Sequence, residues 1–194
     1  MATTQAHQNF VPAKQLIMVI DLAGYTKAAQ SAGDAKIVLF LQDYYAACEE
    51  VLSEKGGAVI KFMGDACLAV FPPDRASFAV EGLLQMQRTI KEITERHELA
   101  IVLGANLHLA SAIEVEFGVG AGKRKDIIGR GVNQTFLLGR GPGIRISEPV
   151  YRALPSSMRS PWEKHKPPAV YHLGPSAGIL EGLRKSPDAN AARW

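Results

Sequence analysis

Two aspartates stand where apolar runs give way to turns. Asp21 ends the run Leu16-Ile17-Met18-Val19-Ile20, and Asp65 follows Gly64 between Ala58-Val59-Ile60 and Cys67-Leu68-Ala69-Val70-Phe71. A carboxylate is a hard oxygen ligand, and two of them at the ends of neighbouring strands can hold a pair of divalent cations. Such a pair suits phosphoryl chemistry on a nucleotide, because it acidifies an attacking hydroxyl and neutralises phosphate charge together. Taken singly, each residue also has an ordinary reading: Asp21 as a capping or turn residue, Asp65 as the partner of Gly64 in a tight turn.

The elements that must carry these residues follow from periodicity. Residues 15–21 form a continuous apolar run, which predicts a strand buried on both faces. Gly24 breaks it, and Thr26 is a candidate helix N-cap. Asp34 is placed to cap the next helix, in which Ile37, Val38, Phe40, Leu41, Tyr44, Tyr45, Cys48, Val51 and Leu52 recur at helical spacing before Gly56-Gly57. Residues 58–62 and 66–71 read as a hairpin turning at Met63-Gly64-Asp65. Pro72-Pro73 stops it, and Asp74 is expected to cap a helix over about 75–97. Two strands at 100–109 and 112–118 lead to a glycine-basic hairpin over 118–125. A helix over 131–138, a strand over 143–147, a short helix over 148–154 and a strand over 170–173 complete the reading. This order predicts an α+β sandwich of ferredoxin-like type, a mostly antiparallel sheet with helices against one face. The folded domain is expected over 13–174, between a flexible tail at 1–12 and a loose one at 175–194.

The bulk numbers narrow the classes. A chain of 194 residues with 47% hydrophobic and 21% charged residues has the composition of a globular domain with a sizeable core. A formal charge of +3 makes no case for nucleic acid, and the predicted strands are mainly aliphatic where an RNA-binding sheet needs exposed aromatics. Cys48 and Cys67 form no CxxC pair and fall in apolar segments. They read as core residues of a reducing, cytoplasmic compartment. Met1 to Gln5 show no basic stretch leading into an apolar one, so no secretory leader is expected. No apolar run approaches the roughly 18–20 residues of a membrane span. The segment 118–125 lacks the Gly-Lys-Ser/Thr ending of a P-loop. His108, in an apolar strand, reads as a satisfied core residue.

Three motifs in order give a more specific reading. Asp21-Leu22-Ala23-Gly24-Tyr25-Thr26, then Gly56-Gly57 through Lys61-Phe62-Met63-Gly64-Asp65 to Phe71, then Arg124-Lys125-Asp126 with Gly129 and Val132-Asn133 resemble the class III adenylyl/guanylyl cyclase homology domain. The resemblance covers about residues 14–173. It implies that Asp21 and Asp65, with the carbonyl of Leu22, bind two divalent ions, Mg²⁺ or Mn²⁺. One helps deprotonate the ribose 3′-hydroxyl and the other holds the β- and γ-phosphates. That hydroxyl attacks the α-phosphorus of ATP in line and expels pyrophosphate, giving cyclic AMP for intracellular signalling. The backbone from Leu22 through Gly24, Tyr25 and Thr26 receives phosphate oxygens. Lys61 donates to adenine N1, Asp126 accepts from the 6-amino group, and Asn133 orients the ribose. Guanine-selective members carry Glu and Cys or a small residue at the two base-reading positions. The resemblance further implies a head-to-tail homodimer with composite sites.

The sequence departs from the family pattern in three places. Leu137 occupies the position of the arginine that stabilises phosphate charge in the transition state, and Arg140 lies three residues beyond it. Trp162 stands where a late lysine holds the triphosphate, with Lys164 and Lys166 nearby. Ala110-Ser111 replaces a Thr-Gly-Glu run. A catalytically silent module therefore stays open, one that binds nucleotide or dimerises to regulate a protein partner. A diguanylate cyclase is disfavoured, since the hairpin lacks a Gly-Gly-Asp/Glu-Glu-Phe turn.

Overall fold

The long apolar run forms the strand β1 (Ala13–Ala23), which pairs antiparallel with β3 (Ala66–Phe71) on one side and β4 (Val102–Phe117) on the other. The computed structural model describes residues 10–165 and 169–175, so most of the two expected tails (1–9 and 176–194) and Lys166 lie outside the described residues. The other strands are β2 (Ala58–Met63), β5 (Arg124–Ile128), β6 (Gly143–Ser147), β7 (Glu163–His165) and β8 (Val170–Leu173). The sheet order is β2-β3-β1-β4-β6-β8-β7, with β5 paired to the far end of β4. Only the β4–β6 pairing is parallel, so the mostly antiparallel α+β fold expected from the pattern is the one observed.

Side chains alternate across β1. Leu16, Met18 and Ile20 join the main core with α2 (Asp34–Glu54) and α3 (Ala76–Arg96), where Phe40, Tyr44, Leu52, Leu83 and Met86 are fully buried. Each such side chain contributes about 1.5–3 kcal/mol through burial. Ile17 and Val19 face the other way into a smaller cluster with Leu68, Ile127 and Val132 of α4 (Arg130–Phe136). The helices therefore do not all share one face, as the pattern suggested. Gly131 lets α4 approach: a Cβ there would lie 2.6 Å from that of Ala110.

Several boundaries differ from expectation. One strand, Val102–Phe117, stands where two were expected, because Ala110 and Ser111 continue the pairing with Gln15 and Lys14 instead of turning. Strand β4 then runs past the sheet edge and carries β5 as an arm. The expected side-chain caps are replaced by backbone ones. Gly24, at φ +91°, precedes α1 (Tyr25–Ala32), so Thr26 sits inside the first turn. Gly33 precedes α2, making Asp34 its first residue, where a carboxylate favours the helix dipole. Arg75 precedes α3, which leaves Asp74 outside it. Periodicity did not reveal the short edge strand β7, and α5 (Glu148–Ala153) completes the helices.

Candidate functional site

Asp21 lies near the end of β1, and its Oδ1 accepts from the Leu22 N–H at 3.1 Å. The pairs Ile20–Cys67 and Met63–Ala66 place the Gly64-Asp65 turn of the neighbouring hairpin beside it. Gly64 at φ +65° meets the requirement of a two-residue turn whose first central position is left-handed. Tyr45 locks the turn from below. Its O–H donates to the Gly64 carbonyl at 2.7 Å while its ring stacks on Phe62 at 3.9 Å.

The two carboxylates are near enough for their charges to interact. Burial first, and then the Asp21 carboxylate, hold the Asp65 carboxyl above its ordinary value. Neither carboxylate has a lysine or arginine partner among the described residues. Facing hard oxygens with no internal cation between them fit Mg²⁺ or Mn²⁺. No group of three or more His, Cys, Asp or Glu suited to a metal occurs among the described residues. A cation at Asp21 and Asp65 would thus draw other ligands from water, phosphate or a carbonyl such as that of Leu22, the mixed set Mg²⁺ commonly takes. Directly after Asp21, the backbone enters α1, whose first intrahelical bond runs from Ala28 N–H to the Gly24 carbonyl. The preceding N–H groups, including those of Tyr25 and Thr26, are left for an outside acceptor. Gly24 is required there because a Cβ would lie 2.6 Å from the Ala100 carbonyl oxygen.

Lys61 and Asp126, 65 residues apart, meet across β2 and β5: Lys61 Nζ donates to Asp126 Oδ2 at 2.6 Å. The Ile127 N–H donates to Asp126 Oδ1 at 2.8 Å and fixes the carboxylate. Lys61 lies opposite Leu68, on the sheet face away from α2 and α3. A bulge at Ile60 turns that side chain to the same face as Lys61. Ile60 and Val70 line a cavity of about 580 Å³ together with Asp126, Ile127 and Phe10. A donor beside an acceptor over an apolar floor matches the edge and face of a purine.

A second cavity, of about 250 Å³, holds Asp21 with Asn106, Leu137, Arg140 and Arg145. Leu137 is 78% exposed at its mouth. Asn133 sits on the exposed side of α4 and makes no side-chain hydrogen bond among the described residues. Asp21 and Asp126 thus line different cavities of one chain. Lys164 is not brought to either pair. Its strand β7 lies four strand spacings, roughly 19 Å, from β1. Its Nζ rests over the Tyr171 ring on the face packed by helices. Trp162 is buried, its indole N–H donating to the Met158 carbonyl. His108 is only half-buried, Nε2 near Gln134 and Nδ1 without a partner, and burial lowers its pKa. Sequence reasoning passed over Asn106 and Arg145; the available signal was a polar residue inside each of two apolar strands.

A chain with this sheet and paired carboxylates beside a helix start is a cyclase-like domain, and comparison with known proteins agrees. The fold is that of adenylyl and guanylyl cyclase domains. The guanylyl cyclase Cya2 superposes with a TM-score of 0.75 at 20% identity, over 85% of this chain and 93% of that one. The adenylyl cyclase CyaB from P. aeruginosa gives 0.73 at 17% identity, over 85% and 95%. In sequence, an adenylate cyclase of Anabaena cylindrica is 25% identical over 128 residues, 62% of this chain and 26% of the relative. The chain spans about a quarter of the length of the curated relatives it matches. No family model matches it. The resemblance to class III cyclase domains read from the three motifs therefore holds. No helix among the described residues is long and apolar enough to cross a membrane.

Proposed function

We propose that this chain is an adenylate cyclase domain that converts ATP to cyclic AMP and pyrophosphate as a homodimer with composite sites. The observation that carries the reading is the Asp21–Asp65 pair, two carboxylates brought side by side by the β1–β3 register with no lysine or arginine partner among the described residues, shortly before the first turn of α1. When bound there, two Mg²⁺ or Mn²⁺ ions would acidify the ribose 3′-hydroxyl and neutralise the phosphates. The chain's own residues do the rest. Asp21 and Asp65 hold the cations, and the backbone from Gly24 to Thr26 receives phosphate oxygens. Lys61 and Asp126 supply a donor to adenine N1 and an acceptor for its 6-amino group, the reverse of what guanine's edge requires. Asp126 lines a cavity separate from that of Asp21, which favours a site completed by a second copy, with Asn133 facing the ribose from there. Lys164, four strands from β1 of its own chain, could reach the phosphates only from the second copy.

The exposed Leu137 at the mouth of the Asp21 cavity supports a second reading, a module that binds nucleotide without turning it over and regulates a protein partner. Losing a charge clamp on a transferring phosphoryl group costs on the order of 100- to 1000-fold in rate. Purified protein with Mn²⁺ and ATP or GTP, assayed for cyclic nucleotide by mass spectrometry beside Asp65→Ala, separates the two. Cyclic AMP from the parent alone supports the enzyme; bound ATP with no cyclic product sinks it in favour of the silent module.

A further inference from the structure

After α4 the chain passes through Gly139-Arg140-Gly141-Pro142-Gly143 into β6, and all three glycines adopt positive φ. Such a loop has little stiffness of its own, since glycine loses more freedom on ordering than any other residue. Its order comes from Arg145. The register Val19–Asn106–Arg145 across β1, β4 and β6 turns that side chain to the Asp21 face of the sheet. Nη2 donates to the carbonyls of Arg140 (2.6 Å) and Pro142 (3.3 Å), and Nη1 to those of Gly141 (3.1 Å) and Gly143 (3.5 Å). Asn106 Nδ2 adds a bond to the Gly139 carbonyl at 2.9 Å.

The fit is close on every side. A Cβ at Gly139 would lie 2.5 Å from Arg145 Cδ, and one at Gly104 would lie 2.5 Å from the Gly141 oxygen. Arg145 has no carboxylate partner among the described residues, which is unusual for a half-buried guanidinium. With its four Nη hydrogens directed at carbonyls, it is not free to bind a ligand. Arg140 is free: its side chain makes no hydrogen bond or ion pair among the described residues, and it lines the same 250 Å³ cavity as Asp21 and Leu137.

We infer that Arg145 is a positioning residue, which folds the Gly139–Gly143 loop so that Arg140 faces the phosphates held at Asp21 and Asp65 of its own chain. Arg140 then supplies, from the loop, a cation that Leu137 cannot supply from the helix. The inference rests on the nucleotide reading above, and its test keeps the two apart. Amide hydrogen exchange of residues 139–143 without ligand reports loop order. Binding of tripolyphosphate with Mn²⁺, by calorimetry, reports the cation.

In Arg145→Met, exchange of the loop is expected to quicken and tripolyphosphate affinity to fall about tenfold or more, the loss of one charge-assisted contact. Arg140→Ala should match that loss of affinity with exchange unchanged, and the double variant should bind no worse than Arg140→Ala. Parent-like binding by Arg140→Ala, in a protein whose binding is lost in Asp65→Ala, overturns this inference alone. Loosened exchange with parent-like affinity in Arg145→Met does so too, reducing Arg145 to a structural support. A parent that binds neither tripolyphosphate nor ATP overturns the functional reading and the role of Arg140 together.

Discussion

Asp65 is a residue kept against its own comfort in the metal-free fold. Because its carboxyl is held above the ordinary value, by burial and then by Asp21, the protonated form is favoured. A raised carboxyl contributes stability below its unfolded pKa and loses that contribution as pH rises through the folded value. Once ionised, the group carries a cost that a bound cation would offset. Asp65→Asn is expected to leave the metal-free melting temperature unchanged or slightly raised. Mn²⁺ should raise the parent's melting temperature and not the variant's, because a ligand stabilises only a state that binds it. Thermal melts in chelator and in Mn²⁺ check this; a variant that melts lower in chelator, or keeps the Mn²⁺ shift, argues against the site.

Between elements, the long helices α2 and α3 are pinned at one end by Asp43. Its Oδ2 accepts from His97 Nε2 at 2.9 Å and from Arg96 Nη1 at 3.0 Å, and the His97 ring meets Phe40 edge-on at 5.9 Å. The hydrogen bond from His97, and then Arg96, hold the Asp43 carboxyl below its ordinary value. For a depressed carboxyl the contribution to stability is present above the unfolded pKa, about 3.9, and is lost as pH falls through the folded one. Asp43→Asn should therefore melt lower than the parent at pH 6, with the gap closing as pH drops below about 4. A gap that persists at pH 3 would assign the effect to packing. Element boundaries were legible only in part. The β2–β3 turn and β6 could be placed from glycines and apolar runs. The continuity of β4 could not, because Ala110-Ser111 is locally neutral and only its partners on β1 decide that it stays extended.

For the molecule as a whole, Asp21 and Asp126 line separate cavities of one chain, and the proposed reading makes a single chain half of a site twice over. On the proposed reading, Asp65→Ala and Lys61→Ala chains are each inactive, yet a mixed dimer regains one intact site of two. An equal mixture should recover about a quarter of the parent activity, since about half the dimers are mixed. Cyclic product from the mixture, assayed after joint refolding, checks this. Two silent chains that stay silent together would count against the composite arrangement.

The spacing of Asp21, Gly24, Gly64 and Asp65 was enough to suggest a two-carboxylate site, while Lys61 and Asp126 were paired only through the resemblance to cyclase domains. Local chemistry constrains such positions directly: a carboxylate at a strand end, a glycine at positive φ, a lysine opposite an apolar partner. Three matters needed the folded chain. The bulge at Ile60 depends on how β2 lies on β3, so no local pattern announces that Ile60 and Lys61 share a face. The distance of Lys164 from β1 depends on the order in which β6, β8 and β7 join the sheet. The grip of Arg145 on the loop before it arises only when β6 docks in register against β4, and a sequence records the order of residues but not that register.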